Sequence, residues 1–277
     1  MFPVFGIINI MELTLSLAQI SVSSAPEENL KKAEALIAEA KKRGSELVCF
    51  PEMWTTGLNW KGGAGALDAS EAAAEEVAGL AGKYKIWING SMLMRDELGQ
   101  PVNTSILFDD AGKKRGVYRK IHLFGLMDGD KNLAAGDKLC IANTPWGGAG
   151  LSICYDIRFP ELFRSYALKG AKIILCPAAF PRERIEHWKI LLRARAIEDQ
   201  AFMVGTNLVG REEFGKDGTV DYGGSSAVIG PWGDVIVEAG ETKETLLTAT
   251  IDVNKVDEAR AKMDVLKDRK PKLYGLS

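Results

Sequence analysis

AGLSICYDIRFPELFRSYALKGAKIIL, residues 149–175, holds two short apolar runs, 149–153 and 173–175, on either side of a helical stretch over 160–169. Pro160 opens that stretch, because a proline at the first helical position gives up an N–H that the helix would leave unpaired. The flanking runs are apolar at successive residues rather than alternate ones, the pattern of strands buried on both faces. A strand, a helix and a strand in this order form a crossover that brings two parallel strands into one sheet.

The same alternation extends in both directions. Upstream, 13–18 reads as a strand. Pro26 then opens a helix whose Leu30, Ala33, Leu36, Ile37 and Ala40 share one face before Gly44 stops it. A short strand over 47–50 ends at Pro51, 72–80 is an Ala/Glu-rich helix, and 86–92 is a strand. Residues 105–108 and 116–119 read as paired strands around an Asp-Asp-Ala-Gly turn. Downstream, a helix over 185–200 leads to a strand at 202–206, and strands recur at 226–229, 235–237 and 246–251. Crossover units mixed with a run of consecutive strands predict an α/β layered sandwich, with helices covering the outer faces of one or two sheets. The glycine clusters at Gly62-Gly63 and 147–150 read as turns. No stretch is biased enough for a linker and no repeat is present, so residues 11–277 read as one domain. Residues 1–10, MFPVFGIINI, precede the first strand and are expected to be an extension, an oligomer contact or a start-site artefact.

Composition narrows the function. Across 277 residues, 35 Lys+Arg stand against 37 Asp+Glu, a net charge of −2, so no global field favours nucleic acid or anionic lipid. With 46% hydrophobic and 26% charged residues the chain falls among ordinary globular proteins. A chain of this length buries roughly three quarters of its unfolded surface without covalent staples. Cys49, Cys140, Cys154 and Cys176 form no paired motif, which points to a reducing, cytoplasmic setting. The only histidines are His122 and His187, too few for a multi-histidine metal site. The sequence lacks GxSxG, GxxxxGK[ST], GxGxxG and HExxH, so serine-hydrolase, P-loop, dinucleotide and zincin chemistry lack their minimum parts.

Three segments place a reactive residue at the end of an apolar strand, where side chains converge on a cleft. They are LVCFPEMW (47–54), YRKIHLF (118–124) and LSICYDIRFPE (151–161). Cys154 closes its strand a few residues before the helix opened by Pro160, a position expected to favour thiolate and to offer the Tyr155 N–H to an oxyanion. The partner base is open at this level. His122 and Lys120 sit two residues apart and share a face if the segment is a strand, so either points inward. A buried carboxylate is the other option, with a lysine holding the developing charge, and Glu52 is placed for it.

Together these segments resemble the carbon–nitrogen hydrolase family, also called the nitrilase superfamily. PEMW, YRKIHLF and CYDIRFPELFR are similar to its glutamate, lysine and cysteine motifs, in its order. Further similar stretches are Asn103-Thr104, 177–181, His187-Trp188, 193–200, Gly224-Ser225-Ser226 and Pro231-Trp232-Gly233. The resemblance implies a four-layer αββα sandwich, usually a homodimer or higher homo-oligomer stacked through helices. It implies Glu52 as general base, Lys120 as the cation at the tetrahedral intermediate, and Cys154 as the nucleophile of a thioester that releases ammonia. His122 is then structural. The chemistry implies a small amide and water as partners and no metal or organic cofactor. Tyr155, Arg158, Trp54, Phe124, Ala178 and Phe180, from the same motifs, are the expected substrate contacts.

Nitrilases typically continue from the cysteine with Trp-Glu, and carbamoylases with Asn-Asp and a basic pair. Here Cys154-Tyr155-Asp156 resembles the omega-amidase branch, which hydrolyses the terminal amide of 2-oxoglutaramate or 2-oxosuccinamate. A carbamoylase, another aliphatic amidase or a weakly catalytic binding member are the alternatives. The far carboxylate of such substrates needs a buried donor or cation, and Arg158 and Tyr155 are the candidates. Arg158 alternatively makes a structural ion pair with Glu161 or Asp156. The family often has a second glutamate roughly 25 residues before the cysteine. Here the run is Met127-Asp128-Gly129-Asp130-Lys131, with Gly129 at the matching position and Asp128 or Asp130 as shorter substitutes. A displaced group there would reduce turnover or alter substrate preference.

Overall fold

The computed structural model describes residues 11–58, 63–125, 129–213 and 218–275. The expected extension, residues 1–10, lies outside them. In chain order the elements begin β1 (Glu12–Gln19), α1 (Pro26–Lys42), β2 (Leu47–Cys49), α2 (Gly63–Tyr84), β3 (Trp87–Arg95), β4 (Pro101–Phe108) and β5 (Lys114–Arg119). The middle of the chain continues with α3 (Gly129–Asn132), β6 (Ile141–Thr144), β7 (Gly147–Leu151), α4 (Pro160–Leu168), β8 (Ala171–Ala178), α5 (Ile185–Asp199) and β9 (Phe202–Asn207). It closes with β10 (Val209–Glu213), β11 (Thr219–Gly223), β12 (Ala227–Ile229), β13 (Val235–Glu238), β14 (Thr245–Asp252), α6 (Lys255–Lys262) and α7 (Val265–Asp268).

Two six-stranded sheets share one plan. The first runs β14-β1-β2-β3-β4-β5 and the second β13-β12-β9-β8-β7-β6. In the first, β1, β2 and β3 are mutually parallel while β14, β4 and β5 pair antiparallel. In the second, β7, β8 and β9 are parallel while β6, β12 and β13 pair antiparallel. Each sheet is thus a parallel trio built by crossovers, extended at its edges by hairpin-type strands. The middle strands of the two trios are β2 and β8.

Side-chain alternation assigns the layers. Leu47 and Cys49 of β2 join the core shared with the second sheet, whereas Val48 and Phe50 join the core formed with α1 and α2. Helix α1 starts with Pro26, carries Glu27 and Glu28 in its first turn and Lys41 and Lys42 in its last, each charge suiting the helix dipole. It buries Leu30, Ala33, Ile37 and Ala40. Helices α4 and α5 cover the outer face of the second sheet. The αββα order is therefore helices, sheet, sheet, helices.

Strand β7 corrects one expectation, since residues 147–150 form strand rather than turn. Tyr166 of α4 explains the glycine at 150: a Cβ there would lie 2.9 Å from the ring. Gly205 of β9 similarly admits Trp188 and Leu192 of α5, each 2.7 Å from where a Cβ would stand. Strands β6, β10 and β11 were not expected. Ile-Ala-Asn-Thr and the polar β10–β11 pair lack an apolar period and owe their state to their partners.

Candidate active site

The ends of β2 and β8 meet between the sheets. The Glu52 N–H donates to the Ala178 carbonyl at 3.3 Å, and the Ala179 N–H donates to Glu52 Oε2 at 2.9 Å. A tight turn follows β2, with Met53 at φ 48 and its N–H donating to Ser91 Oγ at 3.0 Å. Strand β5 delivers Lys120, whose Nζ donates to Glu52 Oε1 at 2.6 Å. Asn103 of β4 donates through Nδ2 to the same oxygen at 2.8 Å, and its carbonyl accepts the Lys120 N–H. Glu52 and Lys120 are only 3% and 5% exposed, so the carboxylate and ammonium form an ion pair almost out of water.

Cys154 follows β7 at φ 45, the left-handed region that an L side chain enters only when its surroundings hold it there. Its thiol faces the Glu52 carboxylate, the Lys120 ammonium and the backbone of Ala179. Burial pushes the thiol well above its ordinary pKa, the Glu52 charge adds to this, and Lys120 offsets it only in part. Burial works against the Lys120 charge, but the Glu52 carboxylate outweighs it and holds the ammonium above its usual range. The expectation that helix geometry favours thiolate is therefore corrected. Residues Cys154–Arg158 form a short 3-10 turn, and α4 begins only at Pro160. The resting group is a neutral thiol with a carboxylate beside it.

Asp156, fully buried, joins the cysteine and lysine segments. Its Oδ2 accepts the Tyr118 hydroxyl at 2.8 Å and the Ile153 N–H at 2.9 Å. Its Oδ1 accepts the His122 N–H at 3.1 Å and contacts His122 Nδ1 at 2.7 Å, while the His122 ring stacks on Phe159 at 3.7 Å. Asp156→Ala is expected to strand these buried donors, costing about 3–5 kcal/mol of stability and at least about 10²-fold in kcat. Thermal unfolding and ammonia release measure both; an unchanged melting temperature with full turnover would show that Asp156 does not hold the segments together.

The expected substrate contacts fall into two groups. Tyr155 is half-buried with Phe124 at 5.0 Å and Phe159 at 5.3 Å between ring centroids. Phe180 lies 5.4 Å from Trp188, and the Arg158 guanidinium lies over Phe180 and Tyr155 at 5.4 and 6.0 Å. Ala178 contributes its carbonyl to Glu52 and Leu208. Trp54, by contrast, is fully enclosed, stacked on Phe50 at 4.4 Å and against Gly90, a packing position. Among the described residues Arg158 pairs with neither Glu161 nor Asp156; its Nη2 sits 3.3 Å from His187 Nδ1. Gly129 begins α3, while Asp128 and the Asp130 side chain lie outside the described residues.

Several contributors have no role assigned from the sequence. Asn103 and the Ala179 N–H touch Glu52 directly. Glu212 of β10 accepts the Leu58 N–H at 2.9 Å and the Tyr222 hydroxyl at 2.7 Å, tying the β10–β11 pair to the loop that follows Glu52. Asn103 and Ala179 lie in the family-like stretches Asn103-Thr104 and 177–181, where the sequence alone gives neither a role; no local signal marks Glu212.

A carbon-nitrogen hydrolase family model matches residues 14–261. A 2-oxoglutaramate amidase of Bacillus subtilis (strain 168) is 36% identical over 267 residues, covering 95% of this chain and 100% of that protein. A 2-oxoglutaramate amidase of Paenarthrobacter nicotinovorans is 33% identical, covering 95% and 92%. An amidase from Nesterenkonia sp. AN1, solved with acrylamide added at its active-site cysteine, superposes with a TM-score of 0.84 at 25% identity, covering 95% of this chain and 98% of that one.

Proposed function

Since the chain belongs to the carbon-nitrogen hydrolase family, we propose that it is an omega-amidase, hydrolysing the terminal amide of 2-oxoglutaramate or 2-oxosuccinamate through a cysteine thioester. The observation that carries this reading is the convergence of the Cys154 thiol, the Glu52 carboxylate and the Lys120 ammonium in one buried site. The names borne by the relatives support the substrate class.

The amide carbon approaches Cys154 Sγ. Glu52 takes the thiol proton as the S–C bond forms, which avoids a free thiolate in a site that disfavours it. The carbonyl oxygen becomes an oxyanion, stabilised by Lys120 and the Tyr155 N–H. Glu52 then passes its proton to the amide nitrogen, the C–N bond breaks and ammonia leaves. Water attacks the thioester with Glu52 again as base, and the acid departs as the thiol regains its proton. Arg158 holds the far carboxylate. Lys120 keeps its charge throughout because Glu52 and the transient oxyanion are its counter-ions in turn.

Four free cysteines suit a reducing, cytoplasmic setting, and no helix among the described residues is long and apolar enough to cross a membrane. Exposed Leu168, Ile190, Ile197 and Trp232 on and beside α4 and α5 support pairing of two copies through those helices.

Ammonia release from 2-oxoglutaramate, 2-oxosuccinamate and a set of N-carbamoyl amino acids tests the substrate class. The omega-amides are expected to turn over with kcat/KM of about 10⁴ M⁻¹s⁻¹ or more. Preference for the carbamoyl compounds would make the enzyme a carbamoylase, and no turnover of any would favour a binding role.

A further inference from the structure

Arg184 and Arg158 both lie over aromatic rings with no hydrogen-bonded carboxylate among the described residues. Arg43, Arg95, Arg119 and Arg211 each end on a carboxylate. Arg184 is half-buried, its guanidinium 5.8 Å over the Phe124 ring, and its nearest carboxylate among the described residues, that of adjacent Glu183, is 3.6 Å away, beyond hydrogen-bond reach. Arg158 donates to no protein oxygen among the described residues. A guanidinium partly withdrawn from water keeps some compensation from a ring face, but its in-plane donors still need acceptors.

The rings connect the two cations. Phe124 carries Arg184 and lies 5.0 Å from Tyr155, and Tyr155 in turn lies 6.0 Å beneath Arg158. Tyr155 follows the nucleophile directly, and Phe180, the other ring under Arg158, follows the Ala179 N–H bonded to Glu52. The aromatic frame therefore borders the reactive centre and bears a guanidinium at each end.

Resting on the omega-amidase reading, we propose that Arg184 is a specificity-determining residue that reads the 2-oxo oxygen of the substrate, while Arg158 takes the adjacent carboxylate. A guanidinium fork matches the two oxygens of a carboxylate in a bidentate contact, which leaves an oxygen on the neighbouring carbon without a donor. A second cation on the same frame supplies it. The preferred substrate class is then omega-amides of 2-oxo acids over omega-amides of plain carboxylic acids.

The test is kcat/KM for freshly prepared 2-oxosuccinamate, succinamate and butanamide, in wild type, Arg184→Ala and Arg184→Lys. Arg184→Ala is expected to lose about tenfold or more on 2-oxosuccinamate, as for a charged hydrogen bond removed, chiefly through KM, and less than about threefold on the other two amides. Arg184→Lys should recover part of the loss. Equal losses on all three amides, or none on 2-oxosuccinamate, would overturn the assignment of Arg184 while leaving the omega-amidase reading intact. A wild type that hydrolyses butanamide but neither acid overturns the omega-amidase reading itself, and the assignment with it.

Discussion

Cys154→Ala is expected to lower ammonia release from omega-amides by at least about 10⁴-fold, because the variant lacks the atom that carries the acyl group between the two half-reactions. Cys49 and Cys176 cannot substitute. Burial pushes the Cys49 thiol far above its usual range and that of Cys176 up to about 12, and neither has Lys120 acting to favour its thiolate. Alanine removes little volume at a site already 8% exposed, so the fold should survive and 2-oxosuccinamate should still bind by calorimetry. Mass spectrometry of the wild type quenched during turnover should show an acyl adduct on Cys154 alone. Comparable rates in wild type and variant would remove the thioester from the mechanism.

Glu52→Gln is expected to reduce kcat by about 10³–10⁴-fold, the contribution of a positioned acid and base that acts in both halves of the cycle. Glutamine preserves the shape and can still accept a hydrogen bond from Lys120, so this change tests charge and proton transfer more than packing. The sign of the thiol response follows from the electrostatics. In the wild type the Glu52 charge raises the Cys154 pKa; without it the thiol pKa falls, since the thiolate pairs with Lys120 alone. Alkylation by iodoacetamide should therefore begin at lower pH in the variant than in the wild type, even as turnover collapses. A variant with near-normal kcat, or an alkylation profile shifted to higher pH, would show that Glu52 is neither the base nor the charge that governs the sulfur.

The strand and helix order was legible because it rests on local signals: Pro26, Pro160, the apolar periods of α1 and the buried runs of β7 and β8. The failures have physical causes too. The glycines of β7 look like turn residues until the strand's neighbours are seen, with Tyr166 occupying the space a side chain at Gly150 would need. The β10–β11 pair is too polar to announce itself, yet it brings Glu212 against the loop following Glu52.

The sequence by itself determined the order of most strands and helices, that helices would cover the outer faces of one or two sheets, and, through the family resemblance of its three motifs, which three residues act together. Tertiary structure alone decided their states. Glu52 and the Ala179 N–H are 127 residues apart in the chain, and only the meeting of β2 with β8 joins them. Whether Cys154 rests as thiol or thiolate, whether Arg158 has a protein partner, and what Asp156 holds depend on burial and on atoms from distant strands. Propensity and periodicity act over a few residues, whereas pKa values and hydrogen-bond partners follow from whatever the folded chain brings within a few ångströms.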